Sequence, residues 1–153
     1  AQAVSLTLYR EDFLFEKFEK VIVFPGPFPS EQHPIAHASE LYEPDGCLLF
    51  SAEQTMMAFT EPERWFNVVL YEYARAFALS WPAESLPDFE GREAQLEQIS
   101  GIPMSTIEAI IGLRHPDLRA VGICHYIVFE ERFRGAMPEL ADALDRVFKK
   151  QVA

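Results

Sequence analysis

Apolar positions in this chain fall first into short unbroken runs and later into helical stripes. Val21-Ile22-Val23-Phe24 is a β-branched run halted by Pro25-Gly26-Pro27, which predicts a buried strand ended by a turn. Residues 25–46 hold five of the eleven prolines and predict a loop, with a short strand at Glu40-Leu41-Tyr42. Gly46 introduces a second apolar run, Cys47-Leu48-Leu49-Phe50. Ser51 is then placed to cap a helix over Ala52 to Phe59, with Gln54 at the capping-box position.

The strongest stripe comes next. Trp65, Phe66, Val69, Leu70, Tyr73 and Phe77 recur at helical spacing, and the helix is expected to start at Thr60 and stop before Trp81-Pro82. Shorter helices are expected over Arg92 to Ile99 and from a Ser105 cap to Ile111, ended by Gly112. His115-Pro116-Asp117 reads as a turn in which Asp117 caps a long helix from Leu118 to Phe133. Pro138 opens the last helix, to about Lys150, with Leu140, Leu144, Val147 and Phe148 along one face. The sum is a helix-rich α+β domain with a small sheet near its start.

Composition narrows the function classes. The 153 residues carry 49% apolar and 24% charged positions, which is ordinary for one globular domain. Thirteen Lys and Arg against 24 Asp and Glu leave a formal charge of −11, so nucleic acid and anionic lipid are not expected partners. No apolar run approaches the roughly 18 residues of a membrane span, and the first residues lack the pattern of a signal peptide. The chain begins at Ala1 and not Met, so something is expected to have been removed ahead of it, and the protein is expected to be soluble and cytoplasmic. Any metal site must be built from four His, two Cys and carboxylates.

Asn67-Val68-Val69-Leu70-Tyr71-Glu72-Tyr73-Ala74-Arg75-Ala76-Phe77 has the frame of an NVVLHEFAHxL helix. In that frame the chain resembles the Mlc titration factor A (MtfA) family of zinc-dependent peptidases. Val21 to Phe28 resembles the family's V-x-I-Y-P-x-x-F strand and turn. Glu40-Leu41-Tyr42 and Gly46 to Ser51 resemble its edge strand and the G-P-V-V-L-S segment before the metal helix. Gly122 to Phe133 is similar to its A-E-C-F-A-V-x-S-E-x-F-F helix, and Met137-Pro138-Glu139-Leu140 to the stretch after it. The segments keep their order over roughly residues 13–150. The resemblance implies a single metallopeptidase-like domain over residues 1–153, of gluzincin or MtfA type, lacking the N-terminal helical region of longer members. With that region missing, the family's action on a transcriptional repressor of sugar uptake is not carried over.

The departures decide what is expected of the site. HExxH works by placing two His one turn apart on a metal, with the Glu between them polarising bound water. Here the two His positions are Tyr71 and Arg75, and the position implied for the third ligand is Ile123. A phenol ligates only as phenolate, guanidinium has no electron pair to donate, and isoleucine has no donor atom. Only Glu72, the former general base, remains. Arg75 at i+3 is expected to fill the vacated metal position and give Glu72 a positive neighbour, a pair worth about 0.2–0.5 kcal/mol on an open helix surface. A solvated pair on an unrelated helix is the plainer reading.

The chain is therefore expected to be a catalytically inactive pseudo-peptidase without a cofactor. Its former cleft, marked by Glu40, Leu41, Tyr42, Tyr71, Glu72 and Arg75, would bind a peptide or protein partner. The alternative is an active metal-dependent hydrolase with Glu72 as base and a metal held by His33, His37 or His125. A third is a structural domain with the cleft filled. His33 and His37 have i,i+4 spacing, but Pro34 between them predicts a solvated loop. Cys124 and His125 point about 100° apart on a helix and are expected to be packed separately. Phe13, Phe15, Phe18, Phe24 and Phe28, like Met56-Met57, are expected to pack in the core. Arg132, Arg134, Lys149 and Lys150 are expected to complement helix ends.

Overall fold

The computed structural model describes residues 6–7 and 15–149, so the expectations for Phe13 and Lys150 lie outside it. Three strands, β1 (Lys20–Phe24), β2 (Ser39–Tyr42) and β3 (Cys47–Ser51), form a sheet in the order β1-β3-β2. β1 runs parallel to β3, with Lys20 opposite Cys47, and β2 runs antiparallel to it, with Ser39 opposite Phe50. Among the described residues, seven helices follow β3: α1 (Ala52–Thr60), α2 (Val68–Ser80), α3 (Glu93–Ser100), α4 (Met104–Ile111), α5 (Leu118–Val128), α6 (Glu130–Ala136) and α7 (Pro138–Phe148). The fold is mixed α+β with a small sheet near the N-terminus, as the apolar pattern predicts.

The helices enclose one large apolar core around α2 and α5, to which Leu70, Tyr71, Phe77, Val121, Ile123, Leu144 and Phe148 contribute. A smaller cluster of Phe18, Leu41, Leu48, Phe50 and Ala76 packs the sheet on the other side of α2. α2 is thus buried on two sides, which explains how Glu72 on its inner face comes to lie away from water.

Several boundaries move for local reasons. The Thr60 hydroxyl donates back to the carbonyls of Met56 and Met57 and finishes α1, while Asn67 caps α2 by accepting from the Leu70 N–H at 3.0 Å. Ser51 caps α1 as expected, but the Gln54 side chain donates to the Phe66 carbonyl instead of closing a capping box. Ser105 lies inside α4, whose first N–H, at Met104, is bonded by the Glu97 carboxylate of α3 at 2.6 Å. The single helix expected over residues 118–133 breaks at Phe129, and Phe133 then turns fully into the core against Phe89 and Tyr126.

Burial corrects three readings. β1 is a strand but not a buried one: at the sheet edge, Val21, Ile22 and Val23 are 49%, 44% and 59% exposed. Met56 and Phe59 face outward from α1, so Met56 is not a core residue. His37 is not solvated but buried, whereas His33 is half-buried beside it with ring centroids 5.5 Å apart. Phe18 and Phe28 are core residues, Phe15 packs against the core, and Phe24 stacks on Phe28.

Candidate functional site

α2 lays Glu72 against the first residue of β2. Alternation along β2 turns Ser39 and Leu41 to the same face, toward α2. Ser39 Oγ donates to Glu72 Oε1 at 2.8 Å, and Arg75 Nη1, one turn further along α2, donates to Oε2 at 2.8 Å. Both carboxylate oxygens are engaged, and Glu72 is 1% exposed. Burial pushes its carboxyl above the usual range, and Arg75 and Ser39 reverse that only in part. Burial works against the charge on Arg75, but Glu72, Tyr71 and Asp117 together outweigh it and raise the guanidinium above its ordinary value.

These groups form one wall of a cavity of about 360 Å³, lined by Ser39, Glu40, Leu41, Glu72, Arg75 and Ile111. Gln32, His33, Glu43, Pro44 and Leu113 complete the lining. Glu40 belongs to a second buried pair: His37 Nε2 lies 3.1 Å from Glu40 Oε2, and His37 Nδ1 lies 2.7 Å from the Ile35 carbonyl oxygen. Glu40 Oε1 is buried without a hydrogen-bond partner among the described residues. Such an unmatched acceptor costs about 1–3 kcal/mol.

The segment carrying His37 is fixed by close packing. Ala38 N–H donates to the Ile110 carbonyl of α4, and a Cβ placed on Gly112 would lie 2.6 Å from His37 Cβ. Gly112 also has φ of +70°, so both its backbone and its surroundings require glycine.

Of the positions that the zinc-helix frame singles out, Glu40, Leu41, Glu72 and Arg75 meet at this cavity. Tyr42 is half-buried at the end of β2 and does not line it. Tyr71 and Ile123 are fully buried in the main core. The Tyr71 hydroxyl accepts from the Asp117 N–H at 3.0 Å, tying α2 to the start of α5. Burial, with the Glu72 charge adding to it, holds this phenol far above its ordinary value, so it stays neutral. A neutral phenol bonded to an amide, a guanidinium paired with a carboxylate and an isoleucine do not fit a zinc ion. Among the described residues, no three His, Cys, Asp or Glu side chains gather in a group able to hold a metal.

Ser39, which precedes the strand expected at Glu40-Leu41-Tyr42, is not among the expected site residues, and His37 is weighed only as a solvated loop histidine or a ligand of a rebuilt metal site. The tie from Ser39 to Glu72 spans 33 positions and leaves no local signal.

Two other places hold chemically interesting groups. Cys124 and His125 are buried next to each other on α5; burial pushes the thiol up and pushes the imidazole down to about 4, against a backbone contact at Val121 that raises it. Neither is poised to react at neutral pH. A larger and shallower hollow of about 860 Å³ lies between residues 83–85 and α7. Of its charged groups, Asp145 meets Lys149 at 3.4 Å and is also paired with Arg134 at 2.8 Å, and Tyr126 donates to it. Of the basic residues expected at helix ends, Arg132, Arg134 and Lys149 are in ion pairs, Arg132 with Glu63 and Lys149 with Glu130 among them.

No family model, curated protein or solved structure matches the chain. No described helix is long and apolar enough to cross a membrane.

Proposed function

We propose that the chain is a non-hydrolytic relative of the MtfA-like zinc peptidases that uses the cavity between β2 and α2 to bind a peptide or the exposed segment of a protein partner. The resemblance of the segments over roughly residues 13–150 supports the kinship. The observation that carries the functional reading is the double engagement of Glu72. A general base needs a free oxygen facing a water or substrate proton. Both oxygens of Glu72 are instead held, one by Ser39 and one by Arg75. Arg75 gives the buried carboxylate the positive neighbour that a metal provides in an active peptidase.

Binding without hydrolysis is supported by the room that remains. A cavity of about 360 Å³ at the edge strand β2, with Leu41, Ile111 and Leu113 among its walls, suits a short extended segment. Incubation with unfolded casein, with and without zinc or chelator, tests the reading. Retained binding and no cleavage in any arm are expected, with binding at least about tenfold weaker for the cavity-filling Leu113→Trp variant. Chelator-sensitive cleavage would overturn it in favour of an active metallohydrolase.

A further inference from the structure

We propose that β1 is a dimerisation edge, along which two copies of this chain pair antiparallel, β1 against β1, about a two-fold axis at Ile22. The joint merges the two sheets into one. It lies across β3 from the β2 cavity and does not depend on what the cavity binds.

The backbone of β1 is half used. Lys20 N–H donates to the Gly46 carbonyl, so the polar backbone groups of Lys20, Ile22 and Phe24 face β3. Those of Val21 and Val23 alternate with them and face the open side of the sheet. Val21 and Val23 lie beside Leu48 and Phe50, on the face that packs against α2. Leu48 and Phe50 are buried there, whereas the two valines are exposed, and Ile22 is exposed on the other face. Within Lys20–Phe24 there is no proline, and the one charge stands at the first position. Such an edge lacks the features that keep another strand away.

A second copy is the strand that fits. Antiparallel pairing centred on Ile22 matches all five residues of β1 with themselves. Val21 then stands opposite the partner's Val23, and their outward N–H and C=O groups exchange both hydrogen bonds. The symmetric pair repeats the exchange, and the four valines meet on one face. On the other face Ile22 meets the partner's Ile22 as a non-hydrogen-bonded pair, the closer of the two antiparallel spacings. Pro25-Gly26-Pro27 ends the strand, and an isologous contact uses up this edge on both copies.

Charge agrees with this register. Lys20 falls opposite the partner's Phe24, at the end of the strand where Glu53 approaches. Glu53 N–H donates to the Pro25 carbonyl, and a Cβ on Gly26 would lie 3.4 Å from its carboxylate. Lys20 and Glu53 are both exposed, and neither is in an ion pair among the described residues. The two-fold axis brings each Lys20 toward the partner's Glu53 at both ends of the joint. The formal charge of −11 on each chain opposes association, so the dimer is expected to be weak, with a dissociation constant on the order of 100 μM.

Sedimentation equilibrium of the whole chain from about 10 μM to about 1 mM tests this, with monomer giving way to dimer and to nothing larger. Val23→Lys, an exposed substitution, is expected to weaken the dimer at least about tenfold. Lys20→Glu is expected to weaken it as well, and adding Glu53→Lys to the same chain to restore it. The register is read by disulfide trapping, for which Cys47 and Cys124 are buried and out of reach. Ile22→Cys faces its own copy at a Cα separation of about 4.5 Å and is expected to cross-link under mild oxidation. Val21→Cys faces Val23 instead and is expected to cross-link poorly. A chain that stays monomeric to about 1 mM would overturn the proposal. So would a dimer indifferent to Val23→Lys, or equal cross-linking of the two cysteine variants. Slow hydrogen exchange at the Val21 and Val23 amides in the dilute monomer would place the cover within the chain itself and overturn it too.

Discussion

Arg75 and Glu72 are joined at 2.8 Å one helical turn apart, and the carboxylate at the centre of this pair is almost wholly shielded from water. A pair of this kind differs from the solvated ion pairs of an open helix face. Its value lies mainly in sparing Glu72 the cost of standing charged and alone.

Replacing Arg75 by Met removes that compensation while keeping the side-chain volume. The variant is expected to lose about 2–3 kcal/mol at neutral pH, less than a fully buried pair because Arg75 retains some contact with water. Urea denaturation measures the loss. A change within experimental error would return the pair to the status of a surface contact.

The pH dependence of Glu72 has a definite sign. Its folded-state pKa is raised, chiefly by burial, so the folded protein binds the proton more tightly than the unfolded chain does. The resulting stability is full below the ordinary carboxylate range and falls as pH rises through the raised value. Relative to Glu72→Gln, wild-type protein is expected to lose stability over that window. Denaturation midpoints of both proteins across the acidic range provide the comparison, and parallel profiles would oppose the assignment.

His125 acts in the opposite direction. Burial pushes its pKa down to about 4, so the folded state keeps the ring neutral while the unfolded chain takes up a proton. The stability present above the ordinary histidine range is lost as pH falls toward about 4, with a span on the order of 3 kcal/mol. His125→Leu is expected to flatten this part of the profile. An unchanged slope between pH 7 and 4 would contradict the burial of a neutral ring.

Gly112→Ala tests the packing that seats His37. The new methyl would meet His37 Cβ at 2.6 Å from a backbone at φ +70°. A loss of about 2 kcal/mol or more is expected, together with a shifted His37 imidazole signal in NMR spectra. Substitution at Gly101, which has φ of +74° but open space around it, is expected to cost only the backbone part, about 1–2 kcal/mol.

The fold was legible in the sequence wherever a local pattern carried it. The two apolar runs became β1 and β3, Gly46 and Gly112 turned the chain, and Ser51, Asp117 and Pro138 opened helices. What escaped local reading depended on distant partners. Thr60 and Ser105 look like caps, but Asn67 and the Glu97 carboxylate take those roles. β1 has the composition of a buried strand and stands exposed, because composition does not say which strand is central. At the site, Glu72 and Arg75 could be paired from their spacing, whereas the Ser39 tie and the unmatched oxygen of Glu40 are products of tertiary packing.

The central claim, that Arg75 stands where a related peptidase holds its metal, is tested most directly by restoring the ligands. Tyr71→His, Arg75→His and Ile123→Glu are combined, and zinc is titrated into the folded triple variant and into wild-type protein. One zinc per chain in the variant and no stoichiometric zinc in wild type is the expected result. A variant that keeps its helical circular dichroism yet binds no zinc, or a wild-type chain that holds one zinc tightly, would contradict the claim.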